Sequence, residues 1–140
     1  MRALSITASL SVAAGLVAAL AAPIAVDASE ARFEQVKVDA GQALFDAECR
    51  RCHADTEESA SYGPSLINII GRPAGAGDFD YSPALANSGI VWTEAALRAW
   101  MEDNTGFLPG TKMRHVGIAD RTVQDFILAY LASLDGKSGQ

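Results

Sequence analysis

Apolar residues recur at three- and four-residue spacing in three stretches of the chain, and each predicts a helix. The first starts near Asp39, a plausible N-cap, with Ala40, Ala43, Leu44 and Ala47 on one face. The second is capped by Thr93; Ala96, Leu97, Trp100 and Met101 face inward, Glu94 and Glu102 outward. The third follows Asp120, with Val123, Phe126, Ile127, Tyr130, Leu131 and Leu134 on its buried stripe and Gly136 as its stop. Between them lie long polar stretches. "SEARFEQVK" reads as a loose arm, Ala54 to Tyr62 as a solvated loop, and "GRPAGAGDFDYSP" and "NTGFLPGTKMRHVGI" as Gly- and Pro-punctuated loops. "GPSLINII" reads as a turn followed by a short apolar coil, and Pro83 to Asn87 as one helical turn. No run alternates like a strand, and no repeat is evident. The expected class is therefore all-α: a small single domain of three main helices and long loops. Loops of that length in so small a domain need something to organise them.

The N-terminal pattern is of another kind. The first 26 residues carry one charge, Arg2, followed by an apolar or small run from Ala3 to Val26. Small residues then flank Asp27, as at a cleaved export signal. The expected organisation is a signal peptide over 1–28, cut after Ala28, a flexible arm over 29–38, the domain over 39–135 and a tail over 136–140. The rival reading is an uncleaved membrane anchor, since the uncharged run is long enough to span a bilayer. Against it stand its Ala and Ser content, Pro23 near its end, and the short tether it would leave. Export without an Arg-rich leader points to a bacterial periplasm.

Charge narrows the partners. Arg2 and Asp27 leave with the signal, so the net charge of −6 is unchanged. Nucleic acid is excluded as a natural partner, and a basic or neutral docking surface is favoured.

The chemistry concentrates in "CRRCH", Cys49 to His53, which holds both cysteines of the chain and one of its two histidines. A C-x-x-C pair can be half of a zinc site, a redox dithiol or the attachment point of a c-type haem. Zinc wants four ligands, and His115 alone is left to help. A dithiol of the thioredoxin kind follows a strand, whereas "VDAGQALFDAE" reads as helix. A haem uses all three groups: thiols for the vinyls and the adjacent imidazole for the iron. Free thiols exported together would tend to oxidise, so export and haem attachment agree.

A haem iron held by histidine needs its other face assigned. A sulfur donor there suits electron transfer. Met101 lies within a helix, where packing is the ordinary role. Met113 lies in "GFLPGTKM", a loop that Pro109 and Gly110 turn sharply and Thr111 ties. His115, two residues further on, is a second possible donor.

Taken in order, "GQALFDAECRRCH", "YGPSLINIIGR", "FDYSPALANSGIVW", "FLPGTKM" and "DFILAYL" resemble the successive motifs of class I cytochromes c. The resemblance is to the branch shared by mitochondrial cytochrome c and its bacterial periplasmic relatives, and it runs from about Gly41 to Leu134. It implies one haem c bonded through Cys49 and Cys52, with His53 and Met113 as the iron ligands. It implies that the Pro64 carbonyl orients His53, that Arg72, Tyr81 and Trp92 surround the haem propionates, and that Thr111 bonds a propionate. It further implies that Gly41 and Phe45 pack against Ile127 and Tyr130.

The chain departs from the family pattern in three respects. Trp100 stands where tyrosine is common near the methionine sulfur, and Leu85 where an asparagine often helps a buried water. The usual lysine ring is thin: Thr105, Gly106 and Asp120 fall in or near it, leaving Lys112, Arg114 and Arg121. The function implied is one-electron transfer, not catalysis. Expected partners are redox proteins: a respiratory oxidase, a cytochrome bc-type complex, a photosynthetic reaction centre or a periplasmic dehydrogenase. The thin ring keeps open an alternative role as subunit or dedicated acceptor of such a dehydrogenase. A haem peroxidase or ligand sensor would need an open distal position, against which the intact "PGTKM" argues.

Overall fold

A computed structural model describes residues 28–54 and 61–135. The expected export signal, up to Asp27, the expected stop at Gly136 and most of the acidic loop after Ala54 lie outside the described residues. Four helices follow one another: α1 (Ala28–Glu48), α2 (Pro83–Ala86), α3 (Glu94–Phe107) and α4 (Arg121–Ser133). Among the described residues the sole sheet-like feature is an isolated antiparallel bridge between Pro73 and Val91. The all-α expectation of three main helices with short turns matches this order.

α1 is longer than its apolar pattern suggests. Residues 29–38, expected as a loose arm, are helical, and Asp39 sits inside the helix. Asp39 accepts from Gln35 Nε2 at 2.8 Å instead of capping, Lys37 Nζ pairs with Glu34 at 2.8 Å, and the Lys37 ammonium lies 4.7 Å from the Phe33 ring centre. Such pairs each add a few tenths of a kcal/mol to a helix, and they replace the apolar stripe as the signal.

α3 also outruns its expected end. Asp103 breaks the helical backbone (φ −155°, ψ 88°), and its carboxylate accepts from Gly106 N at 2.9 Å and Thr105 Oγ1 at 3.0 Å. This restarts the helix and carries it to Phe107. Those two bonds, the Gly106 amide first, hold the exposed Asp103 carboxyl below the ordinary aspartate range. α2 and α4 begin as the pattern predicts, α2 capped by Ser82 and α4 by Asp120, whose Oδ1 accepts from Thr122 N at 2.8 Å and Val123 N at 3.2 Å.

The core forms where α1 crosses α4. Phe45 is fully buried and meets Tyr130 at a centroid distance of 5.2 Å. Ile127, Leu128, Leu131 and Leu134 complete the α4 side, and Leu97, Trp100 and Met101 the α3 side. Gly41 sits at the closest approach. A Cβ there would run into the Phe126 carbonyl and lie 2.9 Å from Tyr130 Cβ. The expected Gly41 and Phe45 packing is therefore present, with the Phe126 carbonyl nearest the glycine and Ile127 in one cluster with Phe45 and Tyr130. An alanine at an ordinary helical glycine stabilises by up to about 1 kcal/mol. Gly41→Ala is instead expected to destabilise the protein by about 2 kcal/mol, because backbone must move. Urea unfolding checks this; a midpoint unchanged or raised would disprove the crossing argument.

Candidate functional site

The end of α1 places the motif. Cys49 N and Arg50 N both donate to Phe45 O, at 2.8 and 2.9 Å, which closes the helix. Cys52 N and His53 N then donate to Cys49 O, each at 3.0 Å, folding the motif into a tight turn. The thiols of Cys49 and Cys52 remain free of any disulfide. Burial, then Glu48 and Cys52, push the Cys49 thiol up to about 11. A redox dithiol needs the opposite shift, and helix rather than strand precedes it. Among the described residues no group of His, Cys, Asp and Glu converges as a metal cluster, so the thiols lack a zinc partner set.

His53 is buried and its Nδ1 lies 2.8 Å from the Pro64 carbonyl. A carbonyl accepts, so Nδ1 carries the proton and Nε2 keeps a bare lone pair. Burial lowers the His53 pKa, and the bond to Pro64 opposes that shift in part. Gly63 makes room for the ring: a Cβ on it would come within 2.7 Å of His53 Cε1. Gly63 N also donates to Cys52 O at 2.6 Å, tying the loop to the motif.

The loop after α3 carries Met113. Leu108 to Thr111 turn through Pro109 and Gly110, with Thr111 N donating to Leu108 O at 3.3 Å and Gly110 at φ 92°, a value that favours glycine. Met113 is then held at three points. Trp100 Nε1 donates to Met113 Sδ at 3.2 Å, Asn104 Nδ2 to Met113 O at 2.8 Å, and Met113 N lies 3.4 Å from Thr111 Oγ1. Met101, read as packing, is indeed in the core.

Arg72 and Tyr81 share a cavity of about 300 Å³ with Gly63, Pro64 and Phe79. Both are preset by backbone carbonyls: Arg72 donates to Ser65 O at 2.8 Å and Ile67 O at 3.2 Å, Tyr81 to Ala76 O at 3.1 Å. Trp92 does not line this cavity. It is buried, with its ring against Trp100 at 5.1 Å, and Trp92 N donates to Arg72 O at 2.9 Å. Thr111 is buried beside Met113 and does not line the cavity either.

Two residues of this site escape a reading by motif, Asn104 and Gln124. Both are buried amides, and Gln124 Nε2 donates to Ile118 O at 2.6 Å. Each sits on a buried helical stripe otherwise filled with apolar residues. That misplaced polarity is the signal by which they can be found.

Free thiols, a histidine of fixed tautomer, a glycine cradle for its ring, and a soft sulfur under an N–H donor together fit a haem c. Known proteins agree. The cytochrome c family model matches residues 38–135. The chain belongs to the cytochrome c family. The cytochrome c of Tetrahymena pyriformis is 41% identical over 96 residues, covering 68% of this chain and 86% of that protein. Cytochrome c-550 of Nitrobacter winogradskyi is 39% identical over 100 residues, covering 70% and 91%. The solved structure of cytochrome cH from Methylobacterium extorquens matches with a TM-score of 0.63 at 38% identity, covering 69% and 97%. This cytochrome c is an electron carrier with one covalent haem c, and Cys49 and Cys52 supply its thioether bonds. Replacing both by alanine is expected to leave no haem on the chain after acid–acetone extraction, while wild type keeps its haem. Haem staining of a denaturing gel reads the difference, and a stained double variant would refute the attachment.

Proposed function

We propose that this cytochrome shuttles single electrons in a bacterial periplasm, with its haem iron held between His53 and Met113. One observation carries the reading: Met113 is fixed at its sulfur, its carbonyl and its amide at once. A bound haem supplies a metal that gains and loses one electron. An axial donor fixed this firmly keeps the coordination the same in both states, so little reorganises when the electron moves. It also keeps the distal side closed, which argues for a carrier and against an enzyme.

The other residues take supporting roles. Pro64 sets the His53 tautomer, and Arg72 and Tyr81 offer a cation and a phenol to the propionates from one cavity. Trp92 braces Arg72 through the backbone, and Thr111 completes the Met113 loop; both remain assigned to the propionate side. The apolar N-terminal run would direct export and then be removed. Among the described residues no helix is long and apolar enough to cross a membrane. Membrane contact would then come through partners such as a bc-type complex, a terminal oxidase of a respiratory chain or a reaction centre.

A specific observation favours a second reading, a dedicated acceptor for a periplasmic dehydrogenase. Lys112, the lysine of the thin basic ring, is paired with Asp80, its Nζ 2.7 Å from Oδ2 and 2.9 Å from the carbonyl. Exposed pairs add little stability, but this one removes a positive charge from the usual docking face.

The ferric protein is expected to be low-spin and to show the weak sulfur-to-iron charge-transfer band in its absorption spectrum. A high-spin spectrum that shifts readily on adding azide would overturn the carrier reading. Trp100→Phe is expected to keep that band and lower the reduction potential. The indole N–H draws electron density from the sulfur and so favours the reduced state. A hydrogen bond of about 1 kcal/mol corresponds to roughly 40 mV for one electron. Voltammetry checks this, and a potential unchanged or raised would contradict it.

A further inference from the structure

His115 presents an arrangement that the carrier role does not use. Its Nδ1 lies 2.7 Å from the Val116 carbonyl, so that nitrogen is the protonated one. Nε2 therefore keeps a bare lone pair. It is also shielded from solvent and has no hydrogen-bond partner, the one buried side-chain nitrogen or oxygen in that state among the described residues. Leaving such an acceptor unpaired is costly, and a buried exception of this kind calls for a reason.

His53 shows the same pattern, with Nδ1 on a backbone carbonyl and Nε2 bare. A histidine fixed through one nitrogen is how proteins present the other to a metal. Burial alternates along the segment that begins at Met113. Met113 and His115 are half-buried, while Arg114 and Val116 are exposed. The shared burial puts His115 on the same inward side of the loop as Met113. A slip of the loop by two residues would bring an imidazole where a thioether had been.

We propose that His115 is a reserve axial donor: when Met113 leaves the iron, His115 Nε2 takes its place. This rests on the reading that His53 and Met113 are the resting ligands. The exchange breaks one sulfur–iron bond and forms one nitrogen–iron bond. No proton moves, because Nε2 is already bare, and no electron is transferred. Its consequence is functional: losing the methionine leaves the iron six-coordinate and closed to outside ligands.

The test uses the haem-bearing protein in four forms: wild type, Met113→Ala, His115→Phe, and the double variant. Electron paramagnetic resonance and absorption give the ferric spin state. Wild type should show the sulfur band, and Met113→Ala should lose it yet stay low-spin with a bis-imidazole signature. The double variant should be high-spin and bind azide at least about tenfold more tightly than the single variant, because an internal ligand competes for the site. If Met113→Ala is high-spin, or if the single and double variants share one spin state, the proposal fails. A wild type without the sulfur band removes the resting-ligand reading itself, which is a different failure. Should Met113→Ala not fold, urea titration of wild type and His115→Phe decides. The iron should stay low-spin after the band disappears in wild type and turn high-spin in His115→Phe; the same spin state in both overturns the proposal.

Discussion

Everything in this molecule depends on a missing side chain. Gly41 lets the backbone of α1 come against the Phe126 carbonyl, and no other residue fits that approach. The crossing fixes the direction in which α1 ends. Because Cys49, Cys52 and His53 are folded back onto the last turn of α1 by the Phe45 and Cys49 carbonyls, the motif inherits that direction. Phe45, four residues after Gly41, locks the crossing against Tyr130. The site is thus aimed by packing on the far side of the same helix.

The opposite wall has no helix of its own to aim it. Met113 lies in a loop, and a loop of this length holds a side chain steady only with help from outside. Trp100 and Asn104 on α3 supply that help on one flank, and Gln124 on α4 supplies it through Ile118 on the other. A buried amide left unpaired would be costly, so each bond also enforces the loop conformation that satisfies it. The kink at Asp103 belongs to the same scheme. It redirects α3 beside Asn104, just before the turn into the methionine loop.

How much of this could be read in the sequence depended on the kind of force involved. The helix faces of α3 and α4 were legible because burial of Leu97, Trp100, Ile127 and Tyr130 writes a period into the chain. "CRRCH" and "FLPGTKM" were legible because few other structures need those residues at that spacing. The first turns of α1 were not, since residues 29–38 are helical through charge pairs and propensity, which leave no apolar stripe. The roles of Asn104 and Gln124 were not, because a hydrogen bond to a distant loop has no local pattern. The Lys112–Asp80 pair joins residues 32 apart in the chain, a separation no motif records. Trp92 is grouped with Arg72 and Tyr81 through family likeness alone; its ring packs against Trp100, and its backbone reaches Arg72.

Trp100 shows how such a departure alters the chemistry. A tyrosine at this place has a hydroxyl that both donates and accepts, so its hydrogen can turn away from the sulfur. An indole N–H only donates, and its ring is fixed edge-on between Trp92 and Phe107. The hydrogen therefore points at Met113 Sδ for as long as the core stays packed. Leu85, where an asparagine would hold water, is likewise packed against the core. A donor fixed in this way keeps the same position against the sulfur before and after the electron moves. The surroundings then need not readjust with each transfer, which a fast one-electron carrier requires.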